Sequence, residues 1–183
     1  MIRHIAKLFA FLLLFSLTMF CRAEETASSL SSYKLGVGDV ISISVLGEDE
    51  LARDKIRLTD AGTISFPVLG EVRVLGLTLG EVEKTITEGL KKGYLLNPQV
   101  SAQLDEYRPF FVNGMVEKPG GYPYQPGLTV RKAASIAGGL KERASLSGIF
   151  VIHASDTSQK PVKVDLNAPV MPGDTVIIEQ SFF

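Results

Sequence analysis

Residues Val112 to Leu140 read VNGMVEKPGGYPYQPGLTVRKAASIAGGL. The order of residue types predicts a strand, a Pro/Gly corner, a short strand or turn, a capped helix and a glycine stop. Six of the chain's seventeen glycines and three of its nine prolines fall here, so the stretch specifies backbone shape more than side-chain chemistry. Lys118-Pro119-Gly120-Gly121 forces one corner, and Pro126-Gly127 forces another before Leu128. Thr129 is a suitable N-cap. Val130, Ala133, Ala134 and Ala137 make a small-residue face that lets the helix lie close on a sheet, and Gly138-Gly139 ends it. The stretch holds no Cys, His or Asp that could serve catalysis.

Downstream, Gly148 to His153 (GIFVIH) is apolar on both faces, as an interior strand would be. A polar turn, ASDTSQKP, leads to the alternating strand VKVDL and a last strand over Val170 to Glu179, VMPGDTVIIE. Upstream, Tyr107-Arg108-Pro109 breaks the pattern and marks a domain boundary.

Before that break lies a second unit. Tyr33 to Leu46 (YKLGVGDVISISVL) is a glycine turn feeding a strand with period-two alternation. Its Gly-Val-Gly is no dinucleotide fingerprint, because Ile41 sits where a third glycine belongs and a strand follows. Glu48 to Asp54 is a loop or a single helical turn. Ile56–Thr59 and Thr63–Gly70 read as the arms of a hairpin closed by a left-handed Gly62, with Pro67 bending the second arm or placing it on an edge. Thr78 to Lys92 is the clearest helix. Thr78 and Glu81 form a capping box, Leu79, Val82, Ile86 and Leu90 make the apolar stripe, and Gly93 stops it. Its glutamates form a solvated face. Asn97-Pro98 opens the strand QVSAQLDEY.

The N-terminus has a basic start, a 13-residue apolar run from Leu8 to Phe20, and small residues at Cys21 and Ala23. That is the layout of a secretory signal peptide. The run falls short of the roughly 20 residues that span a bilayer as a helix. Cleavage after Ala23 is expected, and lipidation of Cys21 is disfavoured by Thr18 and Phe20 in the preceding positions. The expected division is signal peptide 1–23, a Ser-rich linker 24–32, and units 33–107 and 108–183. Cleavage removes the chain's one cysteine together with Arg3, Lys7 and Arg22, which leaves 16 basic against 20 acidic residues, a net charge of −4. That balance argues against nucleic acid as a partner, since phosphate binding needs clustered basic charge. The mature chain has no thiol for a nucleophile, a disulfide or a thiolate metal site. His153, at the end of an apolar strand, reads as structural. Asp49/Glu50 and Asp105/Glu106 are sequence neighbours that a strand would point to opposite faces. No catalytic, cofactor or metal residue is expected.

Gly38-Asp39 and Gly173-Asp174 each precede a β-rich run. Both aspartates read as turn residues bonding local backbone.

Taken together, the segments resemble the bacterial polysaccharide export family, which exports capsule and exopolysaccharide. YKLGVGDVISISV, DAGTISFPVLGEVRVLGLTLGEVE and NPQVSAQL resemble its export domain. VNGMVEKPGGYPYQPGLTVRKAASIAGGL and PGDTVII resemble the soluble-ligand-binding β-grasp (SLBB) module that follows it. The resemblance covers nearly all of Tyr33 to Phe183. It implies an α+β chain of two small mixed units, the second a β-grasp domain. It also implies a periplasmic protein at the outer membrane that handles polysaccharide without enzymatic activity or cofactor. Large family members add an acylated cysteine, further β-grasp repeats and C-terminal helices that ring the outer membrane. This chain shows one β-grasp unit and ends at Gln180-Ser181-Phe182-Phe183. The expected form is therefore a homo-oligomeric periplasmic ring or adaptor, with an inner-membrane polysaccharide copolymerase and an outer-membrane β-barrel as partners. The alternative is a soluble glycan- or small-ligand-binding module that forms no conduit. Tyr107, Phe110, Phe111, Tyr122 and Tyr124 cluster around the second unit and could stack on sugars, although core burial is the commoner fate of Phe. The corner supplies the contact residues expected for assembly or ligand: Lys118, Pro119, Gly120, Tyr122 and Tyr124.

Overall fold

Strand β1 (Val40–Val45) buries Ile41, Ile43 and Val45 and turns Ser44 to solvent, as its alternation predicts, and it buries Val40 on the other face as well. It is the middle strand of an antiparallel sheet, flanked by β2 (Arg53–Arg57) and β5 (Val100–Glu106). The computed structural model describes residues 32–181, and Lys34–Phe183 forms one compact unit. The expected signal peptide, most of the linker and Phe182-Phe183 lie outside the described residues.

The expected hairpin between Ile56–Thr59 and Thr63–Gly70 does not form. The left-handed turn does: Gly62 takes φ +72° and its N–H donates to the Thr59 carbonyl at 3.1 Å. Its flanks diverge, however. β2 pairs back on β1, with Ile41 opposite Ile56, while β3 (Thr63–Phe66) pairs with β4 (Gly70–Arg73). Pro67 supplies no ladder donor, so the strand ends at Phe66. The chain reverses through Pro67 and Leu69, whose N–H donates to the Pro67 carbonyl at 2.7 Å.

Helix α1 (Leu79–Leu90) carries the predicted capping box. The Glu81 N–H donates to Thr78 Oγ1, and the Thr78 N–H donates to Glu81 Oε2 at 2.7 Å. These bonds hold the Glu81 carboxyl below its usual range. Val82, Ile86 and Leu90 are fully buried, each such side chain contributing roughly 1.5–3 kcal/mol of transfer free energy. One glutamate leaves the solvated face: Glu83 Oε1 accepts from the Ala102 N–H at 2.9 Å and ties α1 to β5.

The second sheet has the order β7-β6-β10-β8-β9, comprising β6 (Phe110–Gly114), β7 (Gly120–Tyr122), β8 (Ala144–Ile152), β9 (Val162–Lys163) and β10 (Thr175–Gln180). β10 lies in the middle, parallel to β6 and antiparallel to β8. A hairpin, a crossing helix and a returning central strand parallel to the first make this the β-grasp arrangement, and the fold class is α+β. Helix α2 (Val130–Ile136) covers the sheet through Val130, Ala133 and Ala134, with Ala137 just beyond. The last strand is shorter than predicted. It begins at Thr175, because Val170 to Asp174 forms a turn with Gly173 at φ +88°. Among the described residues no helix is long and apolar enough to cross a membrane.

Candidate functional site

The two Gly-Asp turns are built alike. In the first, the Asp39 N–H donates to the Gly36 carbonyl at 3.2 Å, and Asp39 Oδ2 accepts from the Gly36 N–H at 2.7 Å. In the second, the Asp174 N–H donates to the Met171 carbonyl at 3.1 Å, and Asp174 Oδ2 accepts from the Met171 N–H at 3.0 Å. Each carboxylate then reaches a distant segment. Asp39 Oδ1 accepts from the Arg108 N–H at 2.7 Å, with Arg108 Nη1 3.3 Å from Oδ2. Asp174 Oδ1 accepts from the Ala154 N–H at 3.0 Å, with His153 Nδ1 3.0 Å from Oδ2. Asp39 and Asp174 are the two buried charged residues of the described chain, and each meets the need of a buried carboxylate for hydrogen-bond partners. The reading of both as turn residues holds but is incomplete, because each also anchors a segment remote in sequence. His153 is structural in this sense, as the partner of Asp174.

Arg108 joins the two turns. Its Nε donates to the Pro172 carbonyl at 3.0 Å while Nη1 faces Asp39. Beside it the Gly173 N–H donates to the Pro109 carbonyl at 3.1 Å. Glycine leaves the room in which the guanidinium passes. A Cβ on Gly36 would lie 1.7 Å from Arg108 Nη1, and one on Gly173 would lie 2.7 Å from Arg108 Nε. The segment read from sequence as a break is thus a pin holding the end of β5 against the start of β10.

Next to this pin an open groove of about 530 Å³ is lined by Arg57, Asp105, Glu106, Tyr107, Pro109, Gly121, Tyr122, Pro123 and Tyr124. Tyr107 and Tyr124 meet edge to face, with ring centroids 5.1 Å apart and an interplanar angle of 68°. Burial raises the Tyr107 phenol above its ordinary 10.0, with a further push from the Asp39 charge. Tyr124 is raised by burial first, then by Tyr107 and Asp174. Both rings therefore present neutral phenols.

The polar wall comes from β5. Its pairing with β1 skips a residue: Val40 lies opposite Glu106, Ile41 opposite Leu104. The resulting bulge locally re-aims the strand. Asp105 and Glu106, which a regular strand would send to opposite faces, consequently both line the groove. Asp105 Oδ2 accepts from Ser42 Oγ at 2.5 Å, and Glu106 Oε2 lies 3.2 Å from Arg57 Nη2, in a pair with both side chains 61% exposed.

Of the contact residues expected from sequence, Tyr122 and Tyr124 line this groove, and Lys118, Pro119 and Gly120 do not. Lys118 and Pro119 are exposed at the neighbouring corner, where the Tyr122 hydroxyl donates to the Lys118 carbonyl and the Lys118 N–H donates to the Ala137 carbonyl at 2.8 Å. Gly120 pairs with Val112 across β6 and β7. Phe110 is in the core, and Phe111, 43% exposed, packs over Gly121. Arg57, Asp105, Glu106 and Arg108 were not singled out from sequence as site residues. Only the β-bulge and the long-range turn contacts reveal their roles. Among the described residues no group of three His, Cys, Asp or Glu side chains could hold a metal ion.

Residues 27–105 match the family described as polysaccharide biosynthesis/export protein, and residues 109–165 match the SLBB domain. Exopolysaccharide production protein ExoF of Rhizobium meliloti (strain 1021) is 35% identical over 121 residues, 60% of this chain and 28% of that protein. EPS I polysaccharide export outer membrane protein EpsA of Ralstonia solanacearum is 27% identical over 142 residues, 64% of this chain and 37% of that protein. The EpsA of Ralstonia nicotianae (strain ATCC BAA-1114 / GMI1000) is 27% identical over 133 residues, 59% of this chain and 35% of its own. The chain thus spans between 28% and 37% of the length of these relatives. The two matches follow one another along a single compact unit, the first over β1 to β5 and the second over β6 to β9. On this ground the chain carries a polysaccharide biosynthesis/export domain followed by an SLBB domain.

Proposed function

We propose that the chain is a non-enzymatic component of a polysaccharide export machinery. It works in the periplasm next to the outer membrane, assembles as a homo-oligomeric ring, and guides capsule or exopolysaccharide toward an outer-membrane β-barrel from an inner-membrane copolymerase. Export domain 33–107 and SLBB domain 108–183 act as wedges in this ring, and the Lys118–Pro126 corner makes contacts between copies. A repeated wedge closes into a ring when the rotation between neighbours closes. The observation that carries the reading is the ordered pair of family matches on one chain, supported by relatives whose names denote exopolysaccharide production and export. The Arg108 pin supports it as well, since a ring of wedges needs a stiff joint within each wedge. The test is a clean deletion. Polymer synthesis continues and surface polysaccharide is lost; normal surface polymer in the deletion strain would refute the export role.

The aromatic groove supports a second reading, a soluble glycan-binding module that forms no conduit. Light scattering on the secreted protein separates the two. A stable monomer with measurable oligosaccharide affinity favours the module, and a discrete oligomer favours the ring.

A further inference from the structure

The geometry points to the groove beside Arg108 as a subsite for a neutral, hydroxyl-rich sugar segment, one that discriminates against uronate and other acidic glycans. This rests on the reading of the chain as a polysaccharide-handling protein and assigns the class of glycan that the site takes.

Three features carry it. The first is the combination of surfaces. Tyr107, Tyr122 and Tyr124 supply ring faces and edges, with Pro109 and Pro123 beside them, in a volume of about 530 Å³, within the roughly 300–1,000 Å³ of small-ligand sites. Sugar rings present apolar C–H faces to such walls and hydroxyls around their rims. The second is the bulge in β5. It sends two consecutive carboxylates, Asp105 and Glu106, to one wall, where they can accept pairs of hydroxyl hydrogens. The third is charge. The lining holds one cation, Arg57, against two carboxylates. That guanidinium is already engaged, Nη1 donating to the Gly38 carbonyl at 2.9 Å and Nη2 3.2 Å from Glu106. A glycan carboxylate entering here would meet like charge and an occupied arginine, while a neutral sugar meets the same carboxylates as hydroxyl acceptors, without charge repulsion.

The chain has five tyrosines and no tryptophan, and three of the five line the groove, so intrinsic tyrosine emission reports its occupancy. The secreted protein is titrated at low salt with neutral hexamers of glucose, galactose and mannose and with the hexamer of galacturonic acid. At least one neutral hexamer is expected to give a saturable change and to bind about tenfold more tightly than the galacturonate hexamer. Tyr124→Leu weakens the neutral hexamer about tenfold. The double variant Asp105→Asn/Glu106→Gln, confined to exposed side chains, brings the galacturonate hexamer to within about threefold of the neutral one. The double variant carries the test if Tyr124→Leu does not fold. Saturable binding by no neutral hexamer would overturn the proposal. So would a galacturonate hexamer that binds wild type as tightly as the best neutral one, or a double variant with unchanged discrimination. Loss of surface polymer on deletion, with full export by a folded Tyr124→Leu chain, would remove the subsite and keep the export role. Normal surface polymer on deletion, with neutral-hexamer binding intact, would do the reverse.

Discussion

Asp39 and Arg108, 69 positions apart, meet twice: the Arg108 N–H donates to Asp39 Oδ1 at 2.7 Å, and its guanidinium Nη1 lies 3.3 Å from Oδ2. The carboxylate is fully buried, and the arginine side chain is 20% exposed. Through its other nitrogen Arg108 holds the Pro172 carbonyl, so one side chain fastens the turn before β1 to the turn before β10.

Asp39→Ala should destabilise the chain by about 3–5 kcal/mol, the cost of breaking a buried pair from one side. Arg108→Ala should cost less than Asp39→Ala, since the remaining carboxylate keeps its two backbone donors, Gly36 and Arg108. Urea unfolding of both single variants and the double variant checks this. A coupling energy of at least about 1 kcal/mol between the two sites is expected, and additive effects would show that the ion pair does not act as a unit.

Gly36→Ala tests the pin from the other side. The new methyl would occupy the position of Arg108 Nη1, and Arg108 is long enough to swing away. The cost of the substitution is then mainly the cost of evicting the guanidinium from Asp39 and Pro172. Gly36→Ala should therefore be destabilising in the wild-type background, and far less so in an Arg108→Ala background, where the space is vacant. Equal costs in the two backgrounds, read from denaturant midpoints, would mean that the slot is not what selects glycine.

What the sequence made legible was what short-range chemistry decides. The Thr78/Glu81 cap, the Val82-Ile86-Leu90 stripe, the α2 face and both Gly-Asp turns are set by residues within a few positions of one another, and they stand where the patterns put them. The β2 pairing was missed because a well-formed left-handed turn at Gly62 does not force its flanks to pair, and β1 outcompeted β3 for Ile56. At the groove, Tyr122 and Tyr124 were found because they lie inside the corner. Asp105 and Glu106 were not, because a one-residue bulge overrides the alternation that sequence reading assumes. Arg108 looked like punctuation between Tyr107 and Pro109. Its role depends on two turns 69 and 64 residues away.

Alkaline pH should loosen the groove. The folded protein holds the Tyr107 and Tyr124 phenols above 10.0, chiefly through burial, while the unfolded chain releases their protons near the ordinary value. Above pH 10 the unfolded state therefore binds fewer protons, and stability falls as pH rises through the raised folded values; below pH 10 the contribution is fully present. Phenolate absorbance should show late-titrating tyrosines in the folded protein that vanish in urea. The double variant Tyr107→Phe/Tyr124→Phe should flatten the stability loss above pH 10. An unchanged loss in that variant would place its origin elsewhere.

Lys118 offers a test of assembly that leaves the fold alone. Its backbone is held by the Ala137 carbonyl and the Tyr122 hydroxyl, while its side chain is exposed at the corner. Lys118→Glu should therefore shift unfolding stability by no more than about 0.5 kcal/mol. If the corner forms the contact between copies, reversing its charge alters that contact at every repeat of the ring, and a heterologous contact weakened once is weakened around the whole circle. The expected result is a smaller particle by light scattering and reduced surface polysaccharide in cells carrying the variant, with the monomer still folded. Unchanged particle mass together with unchanged export would take the corner out of the assembly surface and shift the search to the exposed face of α2, where Arg131, Lys132, Ser135 and Ile136 border a second hollow of about 400 Å³.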